Sequence, residues 1–435
     1  MFQTLKNAWK IADLKKKLLF TLLIVILYRV GANIPVPFVK PEIFEAGATQ
    51  LVGILEYMNW LSGGALSQAT LFALSVSPYI TASIIIQLLC VAIPALERLS
   101  KEGEAGKKKI NIITRYVTIG LALVTSFGYM KLLESGMGVP GGESWLVDGV
   151  GVFEKIVIIA CYCAGASLIM WLAEKINEHG IGNGISMILF ANIISGIPAL
   201  VRGLWGMVVG QKYLAVGIIL GVVSLLITLA VIVFIVWVND SERRIPIQYA
   251  KKVVGRKMYG GANTNLPLKV NMSGVMPIIF ASSIVSIPAT IGAFFPNVKW
   301  LSWLTEHFSY TSWVYIVIYL VLIVAFAYFY IMISFNPVET ANNIQNNGGA
   351  IRGVRPGKPT VDFITKILNR ITLIGALFLC IVAGLPMIIN AVSQGSFTGL
   401  AFGGNSLLIV IGVALETVRD LEAQITLRNY KGFLD

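Results

Sequence analysis

Charge is what this sequence has least of. Asp, Glu, Lys and Arg make up 13% of 435 residues, histidine occurs twice and 56% of the residues are hydrophobic, for a mean hydropathy of +0.78. A soluble domain carries roughly a quarter of its residues as charge, so that class is excluded. The ionisable residues that do occur avoid the middle of the apolar runs. His179 and His307 fall in or beside loops, Arg29 lies near the far end of its run, where it can snorkel, and Glu416, Arg419 and Asp420 close the last one. An intramembrane enzyme or an ion-coupled transporter needs titratable groups at depth, where their cost is tolerated only for function. There is no H-E-x-x-H motif and no serine with a membrane-embedded histidine to activate it. The chain therefore reads as a non-enzyme without metal or cofactor. Cysteine is also scarce: Cys90, Cys161, Cys163 and Cys380 all sit in apolar segments, without zinc-ligand spacing or a disulfide framework. They are expected to be buried small apolar side chains. No small-residue cleavage site follows Lys15-Lys16-Lys17, so the first run is not read as a cleaved signal peptide.

What the sequence has in abundance is long apolar runs. A bilayer core of roughly 30 Å needs about 20 such residues as a helix, and lipid offers no partner to an unpaired backbone amide. The runs predict ten helices, near 18–34, 72–95, 112–131, 153–174, 184–202, 213–238, 274–292, 312–335, 371–390 and 404–420. Lys and Arg cluster on one side: before the first helix, and after the second, sixth and eighth. The opposite loops hold Lys40, Lys131, Arg202, Lys212, Lys299 and little else. Positive loops stay inside, which places both termini in the cytoplasm. A cut near residue 205 leaves five helices on each side, 1–205 and 206–435. An odd number per half inserts the two halves in opposite senses, the inverted-repeat arrangement. The expected fold class is thus an all-α polytopic membrane protein with ten transmembrane helices in two inverted halves.

Two of the positive loops, 239–271 and 336–369, are far longer than ordinary connections. In the first, "ERRIPIQYAKKVVGRK" alternates at Ile245, Ile247 and Tyr249, which predicts a short hairpin carrying Arg243, Arg244, Lys251, Lys252, Arg256 and Lys257. In the second, "NNGGAIRGVRPGKP" presents Arg352 and Arg355 on Gly/Pro turns. Contact with anionic lipid, worth about 1 kcal/mol per basic residue, accounts for the charge. It does not account for loop length, so a docking surface is expected. Ribosomal RNA and an acidic motor protein suit the charge equally.

The stretch "LSGGALSQATLFALSVSPYITASIIIQLL" (61–89) resembles one long helix, diluted by Gly63, Gly64, Ser67 and Gln68 and cut at Ser77-Pro78. Proline disfavours helix before it and suits the first turn after it, so a helix is expected to start at Pro78 and continue to Pro94. The preceding piece, about 60–71, is too short to span. Deep polar residues, Thr81, Ser83, Gln87, Asn192, Ser282 and Ser283, are expected in interhelical hydrogen bonds.

The stretches "GGALSQATLFALSVSPYITASIIIQLL", "EHGIGNGISMILFANIISGIP", "LPLKVNMSGVMPIIFASSI", "FNPVETANN", "GVRPGK" and "FGGNSLLIVIGVALE" closely resemble, in matching order along nearly the whole chain, those of the SecY family of protein-conducting channels. The resemblance implies a central pore between the two halves, with a ring at Val76, Ile80, Ile185, Leu189, Ile279 and Ile409. It implies a plug containing Leu61, Gly63, Gly64, Ala65, Leu66, Ser67, Gln68 and Ala69. It implies a lateral gate including Thr81 and Gln87 on the second helix with Ser283 and Ile287 on the seventh. The implied partners are the small membrane subunits SecE and SecG, the SecA motor, the ribosome and polypeptides bearing signal sequences, with the basic loops as docking surface and Arg355 foremost. Anionic lipid remains a partner from the charge alone. The leading expectation is a passive channel releasing signal and transmembrane segments sideways into lipid. A small-solute transporter and an intramembrane hydrolase are the alternatives, and midplane coupling groups are missing for both.

Overall fold

The computed structural model describes residues 2–40, 59, 62–135, 144–147, 149–209, 214–249, 252–254, 257–259, 263–294, 312–392 and 398–431. Ten helices overlap the ten expected spans. They are α2 (Ala12–Gly31), α3 (Ser77–Ala92), α5 (Glu104–Ser135), α6 (Val152–His179), α7 (Gly184–Val209), α8 (Leu214–Asp240), α9 (Met276–Phe294), α10 (Trp313–Ser334), α12 (Lys358–Val392) and α13 (Thr398–Lys431). Shorter helices join them: α1 (Phe2–Lys10), α4 (Pro94–Lys101) and α11 (Pro337–Asn346). By length and composition, α5, α6, α10 and α12 are each able to cross a bilayer, and the chain is a polytopic membrane protein.

The way α2 uses its apolar residues shows why. Thr21, Ile24, Tyr28 and Gly31 are buried at helical spacing, while Leu22, Leu23, Ile26, Leu27 and Val30 remain exposed. Such a face is suited to lipid or to a partner helix rather than to water.

Several ends differ from expectation. α3 stops at Ala92 rather than running to Pro94; Pro94 begins α4, bent 102° from α3. Proline lacks the amide hydrogen that would continue the ladder and is suited to the first turn of the next helix. α5 and α12 extend well beyond the apolar runs at their basic ends, because lipid limits where a helix must be apolar, not where it must stop. All four cysteines are free and half-buried rather than buried.

The chain forms two compact units, 1–221 with 283–315 and 409–435, and 222–282 with 316–408. In the first, α5 packs on α3 and α6, and α6 packs on α7 and α2, burying Tyr28, Leu66, Leu133, Tyr162 and Ile169. Ala8 of α1, Leu14, Ile181 and Leu421 form a smaller apolar cluster.

In the second unit the loop 239–271 is built of strands. β1 (Glu242–Tyr249) lies between β4 (Asn263–Lys269) and β5 (Gly349–Ile351), antiparallel to both, with Ile247 opposite Thr264 and Ile351. β2 (Lys252–Val254) and β3 (Lys257–Tyr259) pair separately. The alternation in β1 turns Ile245 and Ile247 inward, where they pack with Ile351, Ile364 and Leu368. The expected hairpin is therefore divided: β1 is the central strand of a three-stranded sheet packed on the extension of α12, and the basic stretch after it forms the separate β2–β3 pair. Loop 336–369 contributes α11, β5 and the first turns of α12 rather than irregular chain.

Candidate functional site

The structure splits the 61–89 stretch as its composition foretells. Residues 62–76 form consecutive turns without helix, and α3 begins at Ser77 with Pro78 in its first turn. The turns are locally written. Gly63 and Gly64 take φ of +67° and +90°, conformations open to glycine without penalty. Asn59 organises the start: its carbonyl accepts from the Gly64 amide and the Ser62 hydroxyl, and its side-chain oxygen accepts from the Ser67 amide at 2.8 Å. Ala69 and Ser75 also adopt positive φ, +43° and +51°, which costs a residue with a Cβ roughly 1–2 kcal/mol. Such a conformation persists only where the surroundings dictate it.

Those surroundings are close. The Leu71 amide donates to Ile34 and the Val36 amide to Ala69, fastening the segment to the end of α2 through a bridge at Pro35 and Thr70. Phe72 stacks on Tyr28 at 5.3 Å. A Cβ at Gly165 of α6 would lie 2.0 Å from the Leu71 carbonyl, so that glycine is what lets the turn approach the helix. Tyr129 of α5 donates to the Leu66 carbonyl at 2.5 Å, and Tyr162 of α6 donates to the Ala69 carbonyl at 3.3 Å. On α7, Asn192 donates to the Ser75 hydroxyl at 3.2 Å. Ser62, Ala65, Leu66, Ala69 and Thr70 are buried, Gly63, Gly64 and Ser67 are half-buried, and Gln68 is exposed. Trp60 and Leu61 lie outside the described residues.

Val76 immediately precedes α3 and Ile80 is in its first turn; both are buried. Ile185 is half-buried and Leu189 buried on α7. Ile409 on α13 is buried in the first unit as well, and Ile279 on α9 is buried in the second. The polar residues of α3 bond within their own helix. Thr81 donates to the Ser77 carbonyl at 3.0 Å and Gln87 to the Ser83 hydroxyl at 3.2 Å; the expectation of interhelical bonds from these two is not met. Ser283 is half-buried and Ile287 exposed.

Of the basic residues, Arg243 and Arg244 are exposed on β1, with Arg244 paired to Glu242 at 2.6 Å. Arg352 and Arg355 are exposed on the turn joining β5 to α12, which Gly353 and Gly357 shape with positive φ. Thr360 donates to the Arg355 carbonyl at 2.8 Å and steadies that turn. Lys252 lies on β2 and Lys257 on β3; Lys251, Arg256 and His307 are outside the described residues. No cluster with metal-ligand chemistry occurs among the described residues.

Arg29 differs from expectation. Its Nη1 is buried without a hydrogen-bond partner among the described residues, and a Cβ on Gly63 would sit 2.9 Å from it. Beside it, in the first unit, is an apolar cavity of about 440 Å³ lined by Leu22, Val25, Phe190, Ile194 and Thr417 among others. Sequence reasoning placed Arg29 by its distance from the helix end, which does not say which side of the helix it occupies. It also passed over Tyr28, Tyr129 and Tyr162, whose only signal is a hydroxyl inside an apolar run.

The family model described as SecY matches residues 70–418. The protein translocase subunit SecY of Streptomyces galbus is 44% identical over 445 aligned residues, and that of Mycobacterium tuberculosis is 43% identical over 450, each covering all of both chains. Among solved structures, one described as a protein-conducting channel superposes with a TM-score of 0.65 at 17% identity, covering 94% of this chain and 92% of that one. A second, reported for the SecY plug domain as stabilising the closed state, gives 0.62 at 18% identity with the same coverage. Sec61 in the canine ribosome–channel complex gives 0.60 at 16% identity, again with the same coverage.

Proposed function

The chain belongs to the SecY family, and from that premise we propose that it is a passive channel which passes unfolded polypeptides across the cytoplasmic membrane. It is not an enzyme, and its driving force comes from a partner. The observation that carries this reading is the buried non-helical stretch 62–76 ahead of the bent pair α3 and α4. Backbone that is irregular at membrane depth is tolerated only inside protein or beside a water-filled cavity, and a polypeptide channel needs both.

In this reading the protein has two inverted halves, 1–205 and 206–435, around a central pore. Val76, Ile80, Ile185, Leu189, Ile279 and Ile409 form the waist. Their aliphatic side chains bar water and ions by dewetting and yield around a passing chain. Residues 61–69 are the plug, filling the funnel beside the waist at rest. Thr81 and Gln87 face Ser283 and Ile287 across a lateral gate. Because Thr81 and Gln87 satisfy themselves within α3, parting that seam breaks few bonds between helices, and a signal segment of 7–15 apolar residues leaves sideways into lipid. Both termini are cytoplasmic. Arg243, Arg244, Lys251, Lys252, Arg256, Lys257, Arg352 and Arg355 serve as the docking surface for the ribosome and the SecA motor, with anionic lipid nearby, and SecE and SecG complete the complex.

The reading is tested by arresting a translocating polypeptide and placing photocrosslinkers at Ile80 and Ile279. Both positions should label the arrested chain, and an exposed lipid-facing position such as Leu225 should not. Absence of labelling at both sites would exclude the assigned pore.

A further inference from the structure

We propose that Tyr129 and Tyr162 are positioning residues that clamp the plug by its backbone and so set how often the resting channel opens; this rests on reading residues 61–69 as the plug. The two tyrosines come from different helices, α5 and α6, and both are buried, at 2% and 0% exposure. Their rings meet edge to face with centroids 5.0 Å apart, so each fixes the direction of the other's hydroxyl. Tyr129 points at the Leu66 carbonyl and Tyr162 at the Ala69 carbonyl, three residues apart on the plug.

The chemistry of the plug explains why the grip is on backbone. Gly63, Gly64, Ala65, Ser67 and Ala69 offer little side chain to hold, and a segment made of turns leaves carbonyls that no helix ladder satisfies. The Leu66 and Ala69 carbonyls each accept one amide, from Ala69 and Val36, and a hydroxyl from the wall adds a second donor to each. When the segment leaves, the two buried hydroxyls lose their acceptors, while the Leu66 carbonyl keeps the Ala69 amide. Unmade bonds of buried groups are what make such a departure unfavourable. Once water or an extended polypeptide enters the funnel it supplies both donors and acceptors, and the penalty for the open state disappears. The clamp therefore favours closure of an empty channel and not of an occupied one. Tyr162, at the longer distance, contributes the smaller share.

Phenylalanine removes each hydroxyl and keeps each ring, so packing is retained. In the purified channel complex reconstituted into vesicles, Tyr129→Phe should raise the resting ion leak about five-fold, the factor for one net hydrogen bond. Tyr162→Phe should raise it about two-fold by the weaker bond, and the double variant at least as much as Tyr129→Phe alone, the two rings being in contact. Hydrogen exchange of the amides in 62–71 should accelerate by the same factors, a readout independent of conductance. Deleting Gly63–Ala69 separates the possibilities. If the deletion leaks and Tyr129→Phe does not, the clamp is wrong and the plug stands; if the deletion itself does not leak, the plug assignment falls. A further rise in leak when Tyr129→Phe is added to the deletion would overturn the clamp, since the increment would then arise from packing elsewhere.

Discussion

Two glycines show how little separates a permissive from a forbidden position in this protein. Gly165 of α6 faces the Leu71 carbonyl, which a Cβ would approach to 2.0 Å, whereas Gly120 of α5 has nothing within 4 Å. Alanine is the better helix former by about 1 kcal/mol, so propensity alone favours replacing both. Gly120→Ala is expected to stabilise the protein by up to about 1 kcal/mol, and Gly165→Ala to destabilise it by roughly 1–3 kcal/mol through overpacking against rigid backbone. Thermal unfolding of the detergent-purified protein measures both, and equal signs would contradict the close approach. Arg29 carries the complementary lesson. Its place near the end of α2 permits snorkelling, but its guanidinium turns toward Gly63 and α7 instead. Segment 62–69 then has a charged neighbour on one side and two tyrosine hydroxyls donating to its carbonyls.

At the scale of elements, the loop 239–271 keeps its shape through a few apolar side chains under a charged exterior. Ile247 sits in β1 between β4 and β5 and packs against the core that includes Ile351 and Ile364. Ile247→Ala leaves a cavity there, at a cost of about 2–5 kcal/mol. The strands should loosen from α12 while the membrane helices stay folded. Trypsin should accordingly cut at Arg243 and Arg244 at least tenfold faster than in the parent, with unchanged cleavage elsewhere. The bend between α3 and α4 belongs to the same scale. Pro94 ends one hydrogen-bond ladder and starts another, so α3 passes directly into the exposed basic helix α4. Within α4, the Lys101 ammonium beside Glu97 holds that carboxyl below its usual range, chiefly through their hydrogen bond.

For the whole molecule, the basic turn at Arg352 and Arg355 is the proposed contact with large partners. Arg355→Glu should weaken ribosome cosedimentation roughly tenfold, or about 1.5 kcal/mol, the value of one charge-assisted hydrogen bond. The difference should shrink as salt rises; a variant that binds as tightly as the parent would remove Arg355 from the surface. Sequence by itself determined the membrane class, the ten helical spans, the break at Ser77-Pro78 and the hairpin alternation at Ile245 and Ile247. Each follows from local physics: hydrocarbon must face lipid or core, proline cannot extend a ladder, and a strand alternates its faces. The motifs around Pro78, Ile185 and Ile279 carried the family. Tertiary structure alone decided that Ile247 pairs with Ile351 about a hundred residues away, that Gly165 admits the Leu71 carbonyl, and that Tyr129 and Tyr162 reach the Leu66 and Ala69 carbonyls. These contacts join residues distant in the chain, and a glycine or tyrosine in an apolar run reads the same whether it faces lipid or a carbonyl.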